Sequence, residues 1–165
     1  MKEIPAFYFE KLQDEERISA LMLLEKAKKA EEMWLNALEN LLPVKAKIRY
    51  LVEYIDKTRG YKSLNLLDRI QKKIKYAFNI NNTKDKVTKA ETEYKRLKEE
   101  SKKMYEDESN ARDSLGLAEF TFASVVYQGD TDMANFFVSQ CEEERKKHTE
   151  EIITKYINKL KETKQ

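Results

Sequence analysis

A repeat of mostly apolar residues that runs without a slip over 39 residues constrains the fold of this chain more than any other feature. Between Val87 and Val125, the residues of one helix face recur at alternating steps of three and four. That spacing predicts an α-helix over about 84–127, with the repeat running for roughly 60 Å at about 1.5 Å per residue. The positions are Val87, Ala90, Tyr94, Leu97, Ser101, Met104, Glu108, Ala111, Leu115, Ala118, Phe122 and Val125.

Three other segments carry apolar residues at helical spacing and predict helices over about 7–42, 44–80 and 131–161. The expected buried positions of the first are Leu23, Ala27, Ala30, Trp34, Ala37 and Leu41. Those of the second are Val44, Ile48, Leu51 and Ile55, followed in a shifted phase by Leu67, Ile70, Ile74 and Ala77. Those of the last are Met133, Phe137, Cys141, Glu144, His148, Ile152, Tyr156 and Leu160.

Proline, glycine and polar residues mark the expected ends of these helices. Pro43 suits either the first turn of a new helix or a kink in a continuing one. Gly60 predicts a bend, because glycine disfavours a helix interior. The polar stretch 79–85 predicts a loop, with Thr83 as the N-cap of the following helix. Gly129 is the expected C-cap that ends that helix.

These patterns together predict an all-α protein with four long helices in an elongated antiparallel bundle or coiled coil. We expect a single domain over residues 1–165. Only 3 glycines and 2 prolines among 38% charged residues are typical of long helices. Long helices with two apolar faces leave surface that a partner would bury, which favours a homodimer and a protein partner.

The formal net charge is only +2, yet charge is strongly segregated along the chain. Residues 43–98 hold 16 Lys and Arg against 6 Asp and Glu, an excess of +10, whereas residues 99–151 hold 6 against 14, an excess of −8. A basic section of this kind predicts either contact with a polyanion or neutralisation by an acidic section.

Within that section, basic residues flank the polar loop on both sides. If the second and third helices form an antiparallel hairpin, they gather at its tip, where they would bind anionic ligands such as lipid headgroups or nucleic acid. A solvated lysine-rich face without a partner is the alternative interpretation. The residues, here called the basic tip, are Arg69, Lys72, Lys73, Lys75, Lys84, Lys86 and Lys89.

Glu108, Glu144 and His148 are ionisable residues on predicted core faces, which raises the hypothesis of a metal site. Glu144 and His148 lie four residues apart and so on one side of a helix. Di-metal bundles use Glu-x-x-His at spacing three on each of two helices, whereas this chain has a single His. The alternative is a polar layer that fixes the register of the helices.

Other features argue against an enzyme. Cys141 lies on an apolar face and is most simply a core residue. His148 is about 10 Å further along the helix, too far to act as its base. No phosphate-binding loop or zinc spacing is present, so we expect no catalytic residues and no cofactor. The single cysteine and the lack of an apolar run of about 20 residues favour a cytoplasmic location, or one at a membrane surface.

A resemblance bears on the basic section. Leu51, Tyr54, Lys62, Leu67, Arg69, Tyr76, Asp85 and Lys86 stand in an order similar to the second helix and tip of sorting-nexin BAR domains. The resemblance covers about 50 residues. It implies a homodimeric curved helical rod whose lysines, among them Lys72, Lys73, Lys75, Lys84, Lys86 and Lys89, meet anionic membranes. Gly60 and Gly129 depart from the long unbroken helices of that family.

A second resemblance covers about 20 residues near the C-terminus. Gly129, Asp130, Asp132, Met133, Ala134, Phe136 and Phe137, with Glu144 beyond them, resemble the last helical hairpin of ferritin-like and rubrerythrin-like proteins. Ala111 and Ser114 stand where that family would place carboxylate ligands. The resemblance therefore implies, at best, a relative without the metal.

The preferred interpretation is a non-enzymatic interaction scaffold, BAR-like in form, that docks on anionic membranes through the basic tip. The alternatives are a ferritin-like bundle that binds metal through Glu108, Glu144 and His148, and a coiled coil that binds nucleic acid through the basic section.

Overall fold

The computed structural model describes residues 1–62 and 65–163, and this part of the chain is all-α. It forms six α-helices and one short 3₁₀ segment instead of the four helices predicted. The helices are α1 (Ala6–Glu10), α2 (Asp14–Arg59), α3 (Leu66–Ala77), α4 (Thr83–Glu100), α5 (Lys102–Val126) and α6 (Thr131–Thr163), with the 3₁₀ segment at Ile80–Asn82. No described helix is long and apolar enough to cross a membrane.

The described chain divides into two compact units. The first unit consists of Met1–Leu41 and Met104–Glu151, and the second of the described residues within 42–103 and 152–165. The predicted single domain over residues 1–165 remains a prediction. α2 and α6 each contribute residues to both units.

Each unit has its own apolar core. In the first unit, residues with small side chains let the helices approach closely, and aromatic rings fill the remaining space. Its buried residues include Ile4, Leu12, Ala20, Phe122, Ala123, Val126, Ala134, Phe137 and Cys141. The core of the second unit is formed by Leu51, Ile55, Val87, Ala90 and Leu97, with Tyr54, Tyr76 and Tyr94 packed against it.

α2 runs without interruption through Pro43, so the predicted boundary between helices 7–42 and 44–80 is wrong. A proline inside a helix costs about 3 kcal/mol because it lacks an amide donor and clashes with the preceding turn. Leu41, Leu42 and Ala46 are all buried beside it. The burial gained by one continuous helix offsets that cost.

The second predicted helix ends at Arg59 instead of bending at Gly60. Gly60 has φ +80°, its amide donates to the carbonyl of Lys57 at 3.1 Å, and the amide of Tyr61 donates to that of Asp56 at 2.9 Å. This pair of bonds is a Schellman motif, which closes a helix and needs a residue with positive φ. α3 then begins as a separate helix, with the side chain of Asn65 capping it by accepting from the amide of Asp68.

The long apolar repeat is confirmed in its phase but not in its continuity. All twelve of its positions are buried or half-buried. Ser101, itself fully buried, separates α4 from α5, and its hydroxyl donates to the carbonyl of Lys98 at 3.1 Å. Ser101 keeps a helical backbone conformation, and its amide still donates to the carbonyl of Leu97 at 2.9 Å, so the interruption is local. A serine hydroxyl that bonds back to the preceding turn is typical of such local distortions.

Two expected caps are shifted by one residue. Thr83 is the first residue of α4, and Asn82, in a left-handed conformation, precedes it. After α5 it is Gln128, at φ +52°, that takes the left-handed C′ position, and the amide of Gly129 donates to the carbonyl of Ser124 at 2.8 Å. Gly129 therefore occupies the position after C′ in a Schellman motif.

Candidate functional site

The basic tip lies on α3 and on the first part of α4, on either side of the turn formed by residues 78–82. The hydroxyl of Thr83 donates to the carbonyl of Lys75 at 2.8 Å, and the amide of Lys84 donates to the side-chain oxygen of Asn79 at 2.9 Å. These bonds hold the end of α3 against the beginning of α4. Asn79, Asn81 and Asn82 all have positive φ, a conformation that asparagine tolerates better than most residues.

Six of the seven basic-tip residues are exposed, and Lys72 is half-buried. The ammonium group of Lys72 lies 3.1 Å from the carboxylate of Asp68 on the same helix. The ammonium group of Lys84 lies 5.9 Å from the ring centre of Tyr76, which draws it toward α3. The contacts of Lys75 and Lys84 therefore place both at the turn, while Arg69 and Lys89 lie further along their helices.

Tyr76 fixes α3 to the rest of the second unit. Its ring packs against the core of the unit, and the guanidinium of Arg59 lies 5.6 Å from its centre. Arg59 also pairs with Glu91 of α4. Burial disfavours the charged guanidinium, but hydrogen bonding to Tyr76 and the charge of Glu91 outweigh burial and raise the pKa of Arg59. Arg59 thus stays charged and joins α2, α3 and α4.

α3 has no buried residue, although its apolar residues fall on one side. Leu67, Ile70, Ile74 and Phe78 recur at steps of three and four, and they are 66%, 45%, 47% and 77% exposed. They form what we call the α3 stripe. The sequence prediction that Leu67, Ile70, Ile74 and Ala77 continue the buried face is wrong, because Tyr76, on the opposite side of the helix, faces the core instead.

Lysines border the α3 stripe. At 100° per residue, Lys73 falls on one edge of the stripe, and Lys75 falls beyond Gln71 on the other. A short helix with an exposed apolar face between basic residues is typical of segments that lie in the surface of an anionic membrane. The basic residues were predicted from the sequence, whereas the apolar residues were expected in the core, because helical periodicity alone does not distinguish a core face from a membrane face.

The structure does not bring Glu108, Glu144 and His148 together. Glu144 and His148 are exposed, and the carboxylate of Glu144 lies 3.6 Å from the ammonium of Lys2. Glu108 accepts a hydrogen bond of 3.1 Å from the indole of Trp34. Within residues 1–62 and 65–163, no three His, Cys, Asp or Glu side chains are grouped as a metal site requires.

The buried face of α6 differs from the predicted one after Cys141. Arg145, Ile153 and Ile157 are buried where Glu144, Ile152 and Tyr156 were expected. After Cys141, each buried residue of α6 comes one position later than the repeat that includes Phe137 and Cys141 predicts. The predicted positions therefore no longer lie on the side of α6 that faces the core. Arg145 can lie inside because it meets a buried carboxylate.

That carboxylate is Glu119, which is fully buried and was not singled out from the sequence. Arg145 donates to it at 2.9 Å, and a second pair of their atoms lies 2.8 Å apart. The guanidinium also lies 5.8 Å from the ring centre of Trp34. Because each charge compensates the other in a region without solvent, this pair is a polar layer in the first core. No periodicity signal identifies it, since Glu119 looks like a surface residue in sequence.

Cys141 is 1% exposed and lies beside this layer. Burial raises the pKa of the Cys141 thiol from its ordinary value of 9.0 to about 11. The thiol is therefore protonated at neutral pH and unsuited to nucleophilic chemistry. This placement agrees with the prediction of a core cysteine.

Comparison with protein-family models, with curated proteins and with solved structures finds no match to this chain. The resemblances to sorting-nexin BAR domains and to ferritin-like hairpins therefore remain predictions.

Proposed function

We propose that this protein is a non-enzymatic helical scaffold that docks on anionic membranes through α3 and the basic tip. The exposed α3 stripe beside exposed lysines is the observation that carries the proposal. The stripe supplies apolar side chains that can enter the boundary between headgroups and acyl chains, and the lysines supply attraction to anionic lipids.

The expected free energies indicate that apolar and electrostatic contributions are both needed for membrane binding. Each basic residue near an anionic surface contributes about 1 kcal/mol, and burying one large aliphatic side chain contributes about 1.5–3 kcal/mol. Either contribution alone gives weak binding once the loss of translational freedom is subtracted. Together they give reversible peripheral attachment that weakens as salt screens the charges.

Co-sedimentation with vesicles tests the proposal. We expect binding to vesicles that contain phosphatidylserine, weaker binding at higher salt, and little binding to phosphatidylcholine alone. The Lys73→Glu/Lys75→Glu variant changes the two exposed lysines that border the α3 stripe. It should bind at least roughly thirtyfold more weakly, because two favourable contributions of about 1 kcal/mol are lost.

A charge-matched control separates the tip from net charge. Lys146→Glu/Lys147→Glu changes the same number of charges at exposed positions of α6 in the first unit. It should leave most of the binding intact. Equal losses in both variants would contradict docking through the tip, and preference for a labelled oligonucleotide over vesicles would replace the membrane with nucleic acid.

A further inference from the structure

The first unit carries a second exposed apolar surface, on the N-terminal half of α2. Ile18, Leu21, Met22 and Met33 are between 55% and 68% exposed. At 100° per residue they lie on one side of α2, opposite the buried residue Ala27. We call this side the outer α2 face. It belongs to the first unit, whereas α3 and the basic tip belong to the second.

Charges on the same face indicate what covers it. Glu25 and Lys29 are exposed on this face between Met22 and Met33, and within the described part of the chain neither forms an ion pair. Along the helix, Glu25 and Lys29 are equally far from Ala27 on its two sides, and so are Leu21 and Met33. The outer α2 face therefore has the arrangement that an antiparallel copy of itself would match.

We propose that two copies of this chain associate through the outer α2 face, with their α2 helices antiparallel and a two-fold axis at the level of Ala27. In this register Leu21 meets Met33 of the second copy, and Glu25 meets Lys29 of the second copy. By symmetry each contact occurs twice, as a two-fold interface requires. Leu21 then packs against Met33 near both ends of the contact, and opposite charges face one another at its centre.

Neighbouring registers are penalised by charge. A slip of one helical turn in one direction places Glu25 opposite its own copy, and a slip in the other direction places Lys29 opposite its own copy. Like charges in contact are unfavourable, so the same two residues select the register. The contact extends over roughly 27 Å of helix at about 1.5 Å per residue, and we expect association on the order of micromolar.

Sedimentation equilibrium across the micromolar range tests this inference. The wild-type chain should form dimers, and Glu25→Lys and Lys29→Glu should each weaken association roughly tenfold, because each places like charges together twice. An equimolar mixture of the two variants should recover the wild-type affinity, because every charged contact between unlike chains is then attractive. Recovery requires both variants to be folded, so it controls for misfolding.

Cysteine cross-linking provides an independent measurement. The Leu21→Cys/Met33→Cys chain should oxidise to a covalent dimer, whereas each single variant should not, because equal positions lie roughly 18 Å apart along the axis. A wild-type chain that stays monomeric throughout, a variant mixture that does not recover, or cross-linking of either single variant would overturn the inference.

Discussion

The two units differ in whether their notable charged side chains are buried or exposed. In the first unit, Glu119 and Arg145 are buried and neutralise each other inside an apolar core. In the second unit, the lysines of the basic tip are exposed, and so are the apolar residues of α3 beside them. The first arrangement stabilises one packing of helices, whereas the second leaves both charge and apolar surface available to a partner. The contrast distinguishes a charge pair that stabilises the fold from an exposed surface that we propose binds a membrane.

The largest expected effect comes from breaking the buried pair. Glu119→Ala leaves Arg145 charged, buried and unpaired, so the free energy of unfolding should fall by about 3–5 kcal/mol. Urea denaturation followed by circular dichroism measures this. Glu144→Ala is the matched control, because Glu144 is exposed, and it should change stability by no more than about 0.5 kcal/mol. A loss of similar size in both variants would remove the distinction between core and surface carboxylates.

Among substitutions that add a single methyl group near the basic tip, we expect Gly60→Ala to lower the stability of the fold most. Gly60 has φ +80°, and a Cβ atom there would lie 2.8 Å from the backbone oxygen of Arg69 on α3. We expect a loss of about 2 kcal/mol from backbone strain and displacement of α3. Hydrogen exchange should show faster exchange of α3 amides. Gly129→Ala is the comparison, because positive φ applies there without any atom within 4 Å, and α3 should be unaffected.

Cys141 makes the first unit sensitive to alkaline pH. Its pKa is raised from 9.0 to about 11 in the folded chain, so the thiol stabilises the fold fully below pH 9. Between pH 9 and 11 the unfolded chain loses the proton first, and about 2 kcal/mol of stability should be lost. The difference in unfolding free energy between pH 8 and 11 should shrink by that amount in Cys141→Ala. An unchanged difference would mean that other groups carry the pH dependence.

The smallest expected effect separates apolar from electrostatic contributions at the tip. Leu67→Gln removes one residue of the α3 stripe and should weaken vesicle binding by about 1–2 kcal/mol without changing stability. Leu117→Gln is a closely matched control, since the two leucines are 66% and 68% exposed. The loss at Leu67 should persist at high salt, because burial of apolar surface is not screened. Equal binding by both variants would limit the proposed contact to the lysines.

The all-α class, and which positions of the repeat in α4 and α5 face inward, could be predicted from the order of residues alone. Helical spacing of apolar residues follows from backbone geometry, which is why the repeat from Val87 to Val125 is buried or half-buried throughout, even across the break at Ser101. Most of the basic residues within 69–89 could also be predicted to be exposed, because charged side chains rarely enter a core without a partner. The ends of the helices were predicted less well. Pro43 disrupts an isolated helix, but here it lies inside α2 beside the buried residues Leu41 and Leu42.

Which of the apolar helix faces are buried depends on packing between helices and could not be predicted from the order of residues. Leu67, Ile70 and Ile74 have the spacing of a core helix, yet Tyr76 turns the other side of α3 inward, so the apolar side is exposed. Arg145 is buried in place of Glu144 because Glu119, 26 residues away in sequence, neutralises it. Such outcomes depend on contacts between residues distant in the chain. Periodicity specifies that a helix has two sides, and packing against other helices selects the side that faces the core.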